Sequence, residues 1–112
     1  IWRSKAMTTR MKQPIPKRIR VGQKEYSIEV VEAMLDKRLA GEVNYHERLI
    51  QVGMRNGRTG RLFNPDFVHD TFWHELVHAI LDDMDEDTLN RNERFVTAFA
   101  TRLARAIRTA RF

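Results

Sequence analysis

The sequence contains no cysteine. Disulfide bonds, thiolate metal sites and cysteine nucleophiles are therefore excluded. A reducing compartment is compatible with this composition, and we expect a cytoplasmic protein. The sequence also lacks any apolar run close to the roughly 20 residues that a membrane span needs, so no membrane partner is expected.

Acidic residues are absent from the first 24 positions, which hold eight basic ones: Arg3, Lys5, Arg10, Lys12, Lys17, Arg18, Arg20 and Lys24. No apolar core follows these charges, so no secretion signal is expected. Near the other end, arginine recurs at every third position from 102 to 111. Basic ends can bind nucleic acid, although such charges more often belong to a solvated tail or helix face. Nucleic acid is therefore a candidate partner, without the interleaved aromatic residues of a stacking platform.

The 112 residues are enough for one domain with a modest core. We expect residues 1–16 to be a basic flexible arm, which Pro14 and Pro16 hold extended. Within it, residues 1–6 are expected to be an expression remnant ahead of a native start at Met7. Residues 17–112 are predicted to form the single domain, and the sequence predicts no particular oligomeric state.

Three stretches have the alternation of half-buried strands. Residues 18–21 alternate charged and apolar side chains, and after a turn at Gly22 the pattern returns at Tyr26, Ile28 and Val30, which predicts a hairpin. Residues 48–52 read as a third strand, which we expect to be an exposed edge where an extended substrate could add. Residues 32–43 are ambiguous between a short helix and a covering loop. The predicted fold class is α+β, with a small antiparallel sheet of about three strands.

Two helices follow the strands. Asn64, Pro65 and Asp66 are typical of a helix start, and the acidic residues from 82 to 87 are expected to end that helix. A last helix is predicted over roughly residues 90–108. The predicted core contacts are Phe72, Leu76 and Ile80 on the first helix and Phe95, Ala98, Phe99, Leu103, Ala106 and Ile107 on the last.

The first helix carries His74-Glu75-Leu76-Val77-His78, an H-E-x-x-H pattern. Histidines four residues apart share one helix face, where both imidazoles can bind one Zn²⁺, and Glu75 beside them can accept a proton from water. A chain of this length meets the pattern by chance about a few times in a thousand. The alternative is a helix whose histidines bind no metal.

A catalytic zinc usually takes a third protein ligand. Glu93, in the first turn of the last helix, is the best candidate, although a glutamate there can simply stabilise the helix dipole. Asp85, Glu86 and Asp87 are weaker candidates because they lie in a predicted loop. Asp82 lies about 12 Å from His74 along the helix axis, too far for the same ion. Asp70 and Asp82 could instead accept hydrogen bonds from the ligand histidines, or be ordinary surface acids.

The motif and the stretch from Glu93 to Leu103 together resemble the ImmA/IrrE family of small zinc peptidases. That family pairs an H-E-x-x-H helix with a later helix of the form E-x-x-A-N-x-F-A-x-x-L, matched here at Glu93, Phe99, Ala100 and Leu103. Residues 41–52 are similar to the strand that precedes the helix in many minimal zincins. SprT-like proteases are also similar, but their third ligand is a histidine, and none follows His78.

The resemblance implies a minimal zincin fold, with His74, His78 and Glu93 as zinc ligands and Glu75 as the catalytic base. A small phage or mobile-element protein would suit so short a chain. In a peptidase the substrate is a polypeptide, and Tyr45 or His46 could donate a hydrogen bond to the oxyanion. Two alternatives stay open: a nucleic-acid- or protein-binding module on a zincin scaffold, with structural or lost metal, and a zinc hydrolase for another bond.

Overall fold

The structure is a computed structural model that describes residues 14–112. Most of the predicted N-terminal arm, residues 1–13, lies outside the described residues. Within these residues, four strands come first and three helices follow, so the predicted α+β class is confirmed. The strands are β1 (Arg18–Val21), β2 (Lys24–Val31), β3 (Gly41–Asn44) and β4 (Leu49–Gly53), and the helices are α1 (Pro65–Asp83), α2 (Asp87–Asn90) and α3 (Glu93–Thr109).

β1 and β2 form the predicted hairpin. They pair antiparallel from Arg18 opposite Ser27 to Val21 opposite Lys24, which leaves a two-residue turn. Gly22 occupies this turn with a φ of 60°, a left-handed conformation that glycine adopts without a Cβ clash. Tyr26 and Ile28 point from β2 into the core, as the alternation predicts.

The prediction of a three-stranded antiparallel sheet is wrong in strand number and in direction. The sheet has four strands in the order β1-β2-β4-β3, and β2 pairs parallel with β4. The additional strand, β3, lies in the stretch where the sequence was ambiguous. A turn at residues 45–48, with Arg48 at a φ of 54°, reverses the chain from β3 into β4. This reversal gives β4 the same direction as β2.

The expectation that residues 48–52 form an edge is also wrong. β4 lies between β2 and β3, and β3 is the edge strand on that side of the sheet. The backbone NH of Gly53 donates to the carbonyl of Ala40 at 2.8 Å. Because bonded residues alternate along an antiparallel pair, this bond places the NH and C=O groups of Gly41 and Val43 on the open side of β3.

α1 begins where the sequence predicts. The side chain of Asn64 caps the helix by accepting a hydrogen bond from the backbone NH of Asp66 at 2.8 Å, and Pro65 is the first helical residue. The helix ends at Asp83, inside the acidic stretch and without a basic residue in its last turn. α3 begins at Glu93, three residues later than predicted, with Asn92 as its cap.

α1 separates two apolar clusters. On one side it packs against the sheet through Val68 and Phe72, and on the other Val77 and Leu81 pack against Val96 and Ala100 of α3. Ile80, a predicted core residue, is 37% exposed. The buried residues of α3 are Val96, Ala100 and Ala104, whereas the predicted core residue Phe99 is 49% exposed. The face of α3 that packs against α1 is therefore formed by smaller side chains than the sequence pattern predicts.

None of the helices formed by residues 14–112 combines the length and the apolar character that crossing a membrane requires.

Candidate metal centre

His74 and His78 lie one turn apart on the side of α1 that packs against neither the sheet nor the middle of α3. Their ring centroids are 4.9 Å apart. The side chain of His74 is 23% exposed and that of His78 is 10% exposed. The helix therefore presents both imidazoles at the surface of a cleft while packing restricts their motion.

Glu93, the first residue of α3, reaches both imidazoles. Its Oε1 lies 3.0 Å from Nε2 of His74, and its Oε2 lies 3.0 Å from Nε2 of His78. The three candidate ligand atoms all lie within 4.8 Å of one another. Ligands bound to one tetrahedral zinc at about 2.1 Å lie roughly 3.5 Å apart, so small side-chain adjustments suffice. The group His74, His78 and Glu93 could therefore hold a metal ion.

The other acids proposed from the sequence are not part of this group. Asp85, Glu86 and Asp87 are exposed in the turn and short helix between α1 and α3, and they do not join the group. Asp70 accepts a hydrogen bond from the guanidinium of Arg108 at 2.6 Å. These positions leave Glu93 as the acid that meets the two histidines.

Asn90, rather than Asp82, accepts a hydrogen bond from the ring nitrogen of His78 that points away from Glu93. Its Oδ1 accepts a hydrogen bond from Nδ1 of His78 at 2.6 Å, and its Nδ2 donates to the hydroxyl of Tyr45 at 3.1 Å. Nothing in the sequence singles out Asn90, because an asparagine near a helix start is usually a cap. Asp82 is half-buried at the end of α1. Burial raises the pKa of Tyr45, and the charge of Asp82 adds to that effect.

In the neutral form of His78, the contact of Nδ1 with Oδ1 of Asn90 places the proton on Nδ1, because an amide oxygen can only accept. A neutral imidazole that donates through Nδ1 has a lone pair on Nε2. This lone pair faces a carboxylate oxygen of Glu93 at 3.0 Å, and two acceptors at that distance repel unless a proton or a cation lies between them. The arrangement therefore fits either a shared proton or a bound cation between the two atoms. Imidazole nitrogen and carboxylate oxygen are usual ligands of Zn²⁺, so the donor set suits that ion.

The protonation of His74 also suits a metal ligand. Burial lowers the pKa of His74, and the neighbouring His78 lowers it further, against the opposing effect of Glu93. A lowered pKa keeps the imidazole neutral near pH 7. Neutral imidazole is the form that binds a metal.

Glu75 lies beside the ligand group and is only 8% exposed. Burial raises the pKa of its carboxyl to about 7, and the charges of Glu93 and Glu42 add to the effect. β3 passes close to it: a Cβ built on Gly41 would lie 2.6 Å from Cγ2 of Thr71 and 3.4 Å from Cγ of Glu75. The acid thus lies between the group His74, His78 and Glu93 and the open edge of the sheet.

A cleft of about 1000 Å³ connects these residues. One wall is β3 with the segment before it, and the other is formed by α1 and the first half of α3. Tyr45 lines the cleft, whereas His46 is exposed and does not line it. Of the two residues suggested as oxyanion donors, the structure thus brings Tyr45 to the cleft. The lining also includes Arg38, Leu39, Glu42, Phe67, Asn90, Arg91, Thr97 and Thr101.

Comparisons of the chain with protein-family models, with curated proteins and with solved structures gave no match. The resemblance to the ImmA/IrrE family therefore stays a prediction from the motif residues. The assignment of a function depends on the geometry of the cleft.

Proposed function

We propose that the protein is a zinc-dependent peptidase. The observation that carries this proposal is the convergence of His74, His78 and Glu93 from two helices, with their ligand atoms within 4.8 Å of one another. The three residues would hold the ion, and a position on it would stay open toward the cleft for water or substrate. A bound zinc would supply a Lewis acid and lower the pKa of its water toward ~7.

Glu75 is the proposed general base. It would accept a proton from the attacking water and pass it to the amine that leaves. Its carboxylate is buried next to the ligand group, so bulk water competes little for that proton. Tyr45, whose hydroxyl accepts from Asn90, keeps its own proton for a substrate carbonyl oxygen.

The substrate would bind as an extended strand along β3. The open backbone groups of Gly41 and Val43 can pair with a polypeptide, which is how extended peptides add to sheet edges. This geometry favours a flexible or unfolded segment of protein as the substrate, because a folded strand is already paired on both sides. A cytoplasmic location remains part of the proposal, and the absence of cysteine supports it.

Metal content and hydrolysis, measured on the same samples, test the proposal. We expect about one zinc per chain, and we expect Glu75→Gln to keep the metal while lowering peptide hydrolysis by at least about a hundredfold. Glu86→Gln is the matched control, because Glu86 is an exposed acid outside the cleft. Purified protein that binds no zinc, or a Glu75→Gln variant as active as the parent, would exclude the peptidase function.

The exposed face of α3 supports one second candidate, a nucleic-acid-binding function. Arg94, Arg102 and Arg105 lie on that face and are exposed, and the only acid within α3 is Glu93. Such a face can bind phosphates without base specificity. Replacing Arg102 and Arg105 by glutamate should then abolish DNA binding, and Glu75→Gln should leave it intact. DNA binding that does not weaken as salt rises would contradict this candidate.

A further inference from the structure

The cleft continues beyond the ligand group to Phe67, in the first turn of α1. This side chain lines the cleft together with Leu39 and Thr71. It is a large apolar residue, yet it is 45% exposed. A single exposed aromatic residue is ordinary on a protein surface. Phe67, however, is supported from behind: its ring centroid is 4.7 Å from that of Phe63, which packs against the core.

Phe67 stands in line with the metal ligands. Phe67, Thr71, His74 and His78 follow one another at intervals of four, three and four residues, which places them on one side of the helix. Seven residues separate Phe67 from His74, about 10 Å along the helix axis. An extended chain advances about 3.3 Å per residue, so this distance corresponds to about three residues of a bound peptide.

The direction of β3 indicates which part of the peptide reaches Phe67. Gly41, at the start of β3, lies against Thr71, whereas Tyr45, just after its end, reaches Asn90 beside His78. β3 therefore runs in the same direction as α1. A peptide that pairs antiparallel to β3, the more stable arrangement, would run the opposite way. Its residues on the carboxyl side of the reacting bond would extend toward Phe67.

We propose that Phe67, Leu39 and Thr71 form a subsite for a large apolar side chain, at about the third residue on the carboxyl side of the cleaved bond. This inference rests on the proposed peptidase function. Asp70 also lines this end of the cleft, but Arg108 neutralises it. Arg38, next to Leu39, lines the cleft too and is paired with Asp36. The subsite therefore offers an aromatic ring supported by Phe63 and walls whose charges are paired, which suit phenylalanine or leucine better than a charged side chain.

Peptide hydroxamates provide the test, because the hydroxamate group binds zinc and fixes where the following residues lie. The probes are hydroxamate-capped glycine tetrapeptides in which one of the four positions carries phenylalanine. Their affinity for the zinc-loaded protein is measured by calorimetry. We expect phenylalanine at the third position to tighten binding about tenfold over glycine, and at the first position to have little effect.

Two variants distinguish binding at the subsite from non-specific hydrophobic binding elsewhere on the surface. In Phe67→Ala, the gain from phenylalanine at the third position should fall below about twofold, while the all-glycine probe binds as before. Phe99→Ala is the matched control, since Phe99 is equally exposed but lies outside the cleft, and it should keep the tenfold gain.

The outcomes distinguish the subsite from the metal centre. Zinc-dependent binding that ignores the position of phenylalanine, or a gain that survives Phe67→Ala, would overturn the subsite and leave the proposed peptidase standing. If no hydroxamate binds and the protein takes up no zinc, both the subsite and the proposed function are overturned.

Discussion

The two histidines of the candidate metal centre, His74 and His78, lie in the middle of α1, whereas Glu93 is the first residue of α3. α1 is packed on two sides, and the two imidazoles are largely covered. The side chain of Glu93 is 66% exposed, and its backbone depends on the cap from Asn92. The two histidines are thus fixed by the core, and the carboxylate is fixed by local bonds at one helix end. This difference predicts that weakening the start of α3 will reduce metal binding more than an equal weakening of α1.

Replacing a proposed zinc ligand should have the largest effect. His78→Gln and Glu93→Gln should each lower zinc affinity by more than about a hundredfold, above the range seen for residues that only support ligands. Competition with a chromogenic chelator measures this affinity. A Glu93→Gln protein that binds zinc as tightly as the parent would show that the third ligand is another residue.

Asn90→Ala should lower zinc affinity by about 10- to 100-fold, because His78 loses the acceptor that orients it. Asn90→Asp should restore much of that affinity, since a carboxylate accepts the same hydrogen bond. The absorption spectrum of the cobalt-substituted protein should change in the alanine variant and return in the aspartate variant. If the aspartate variant binds metal no better than the alanine variant, Asn90 does not act through His78.

The two helix caps allow a direct comparison of the two supports. Asn64→Ala and Asn92→Ala should each reduce the free energy of unfolding by about 1 kcal/mol, as measured in urea. Only Asn92→Ala should also weaken zinc binding, by about fivefold, because the turn that frays carries Glu93. Equal zinc affinity in the two variants would mean that the start of α3 is as firmly held as the middle of α1.

The smallest effect concerns His69, which is buried on α1 with Nδ1 lacking a hydrogen-bond partner among the described residues. Burial, and then the charge of Arg108, lower the pKa of His69 from 6.5. The unfolded chain therefore takes up the proton first as the pH falls below about 6.5, and the folded state loses stability in that range. With a chelator present, the melting temperature should fall less from pH 8 to pH 5 in His69→Leu than in the parent. An identical fall in both proteins would contradict this role.

Local patterns predicted local structure well. The hairpin around Gly22 and the cap at Asn64 depend on residues that are neighbours in the chain, and both are confirmed. The parallel pairing of β2 with β4 depends on where β3 inserts. β3 has only four residues, and Val43 is its one large apolar side chain, so the strand shows little periodicity in the sequence. Pairing between strands that are distant in the sequence could therefore not be predicted from local patterns.

The same distinction holds at the cleft. The spacing of His74 and His78 on a helix is a local property, and the structure places them together as expected. Asn90 is a different case, because its role depends on contacts with His78 and with Tyr45, 45 positions away. Phe99 and Ile80 were assigned to the core from the helical spacing of apolar residues, and both are exposed. On α3 the small side chains of Ala100 and Ala104 face α1 and allow a closer helix approach.

The open backbone of β3 would not distinguish a substrate from a second copy of the same strand. An unpaired border of this kind is a route to self-association, which short strands and charged side chains oppose. β3 is four residues long and carries Glu42 and Asn44 on its outward positions. Replacing Glu42 by valine would remove this charge and favour pairing between the β3 strands of two copies. The short length and the charge of β3 therefore limit self-association while its backbone groups stay open to an extended peptide.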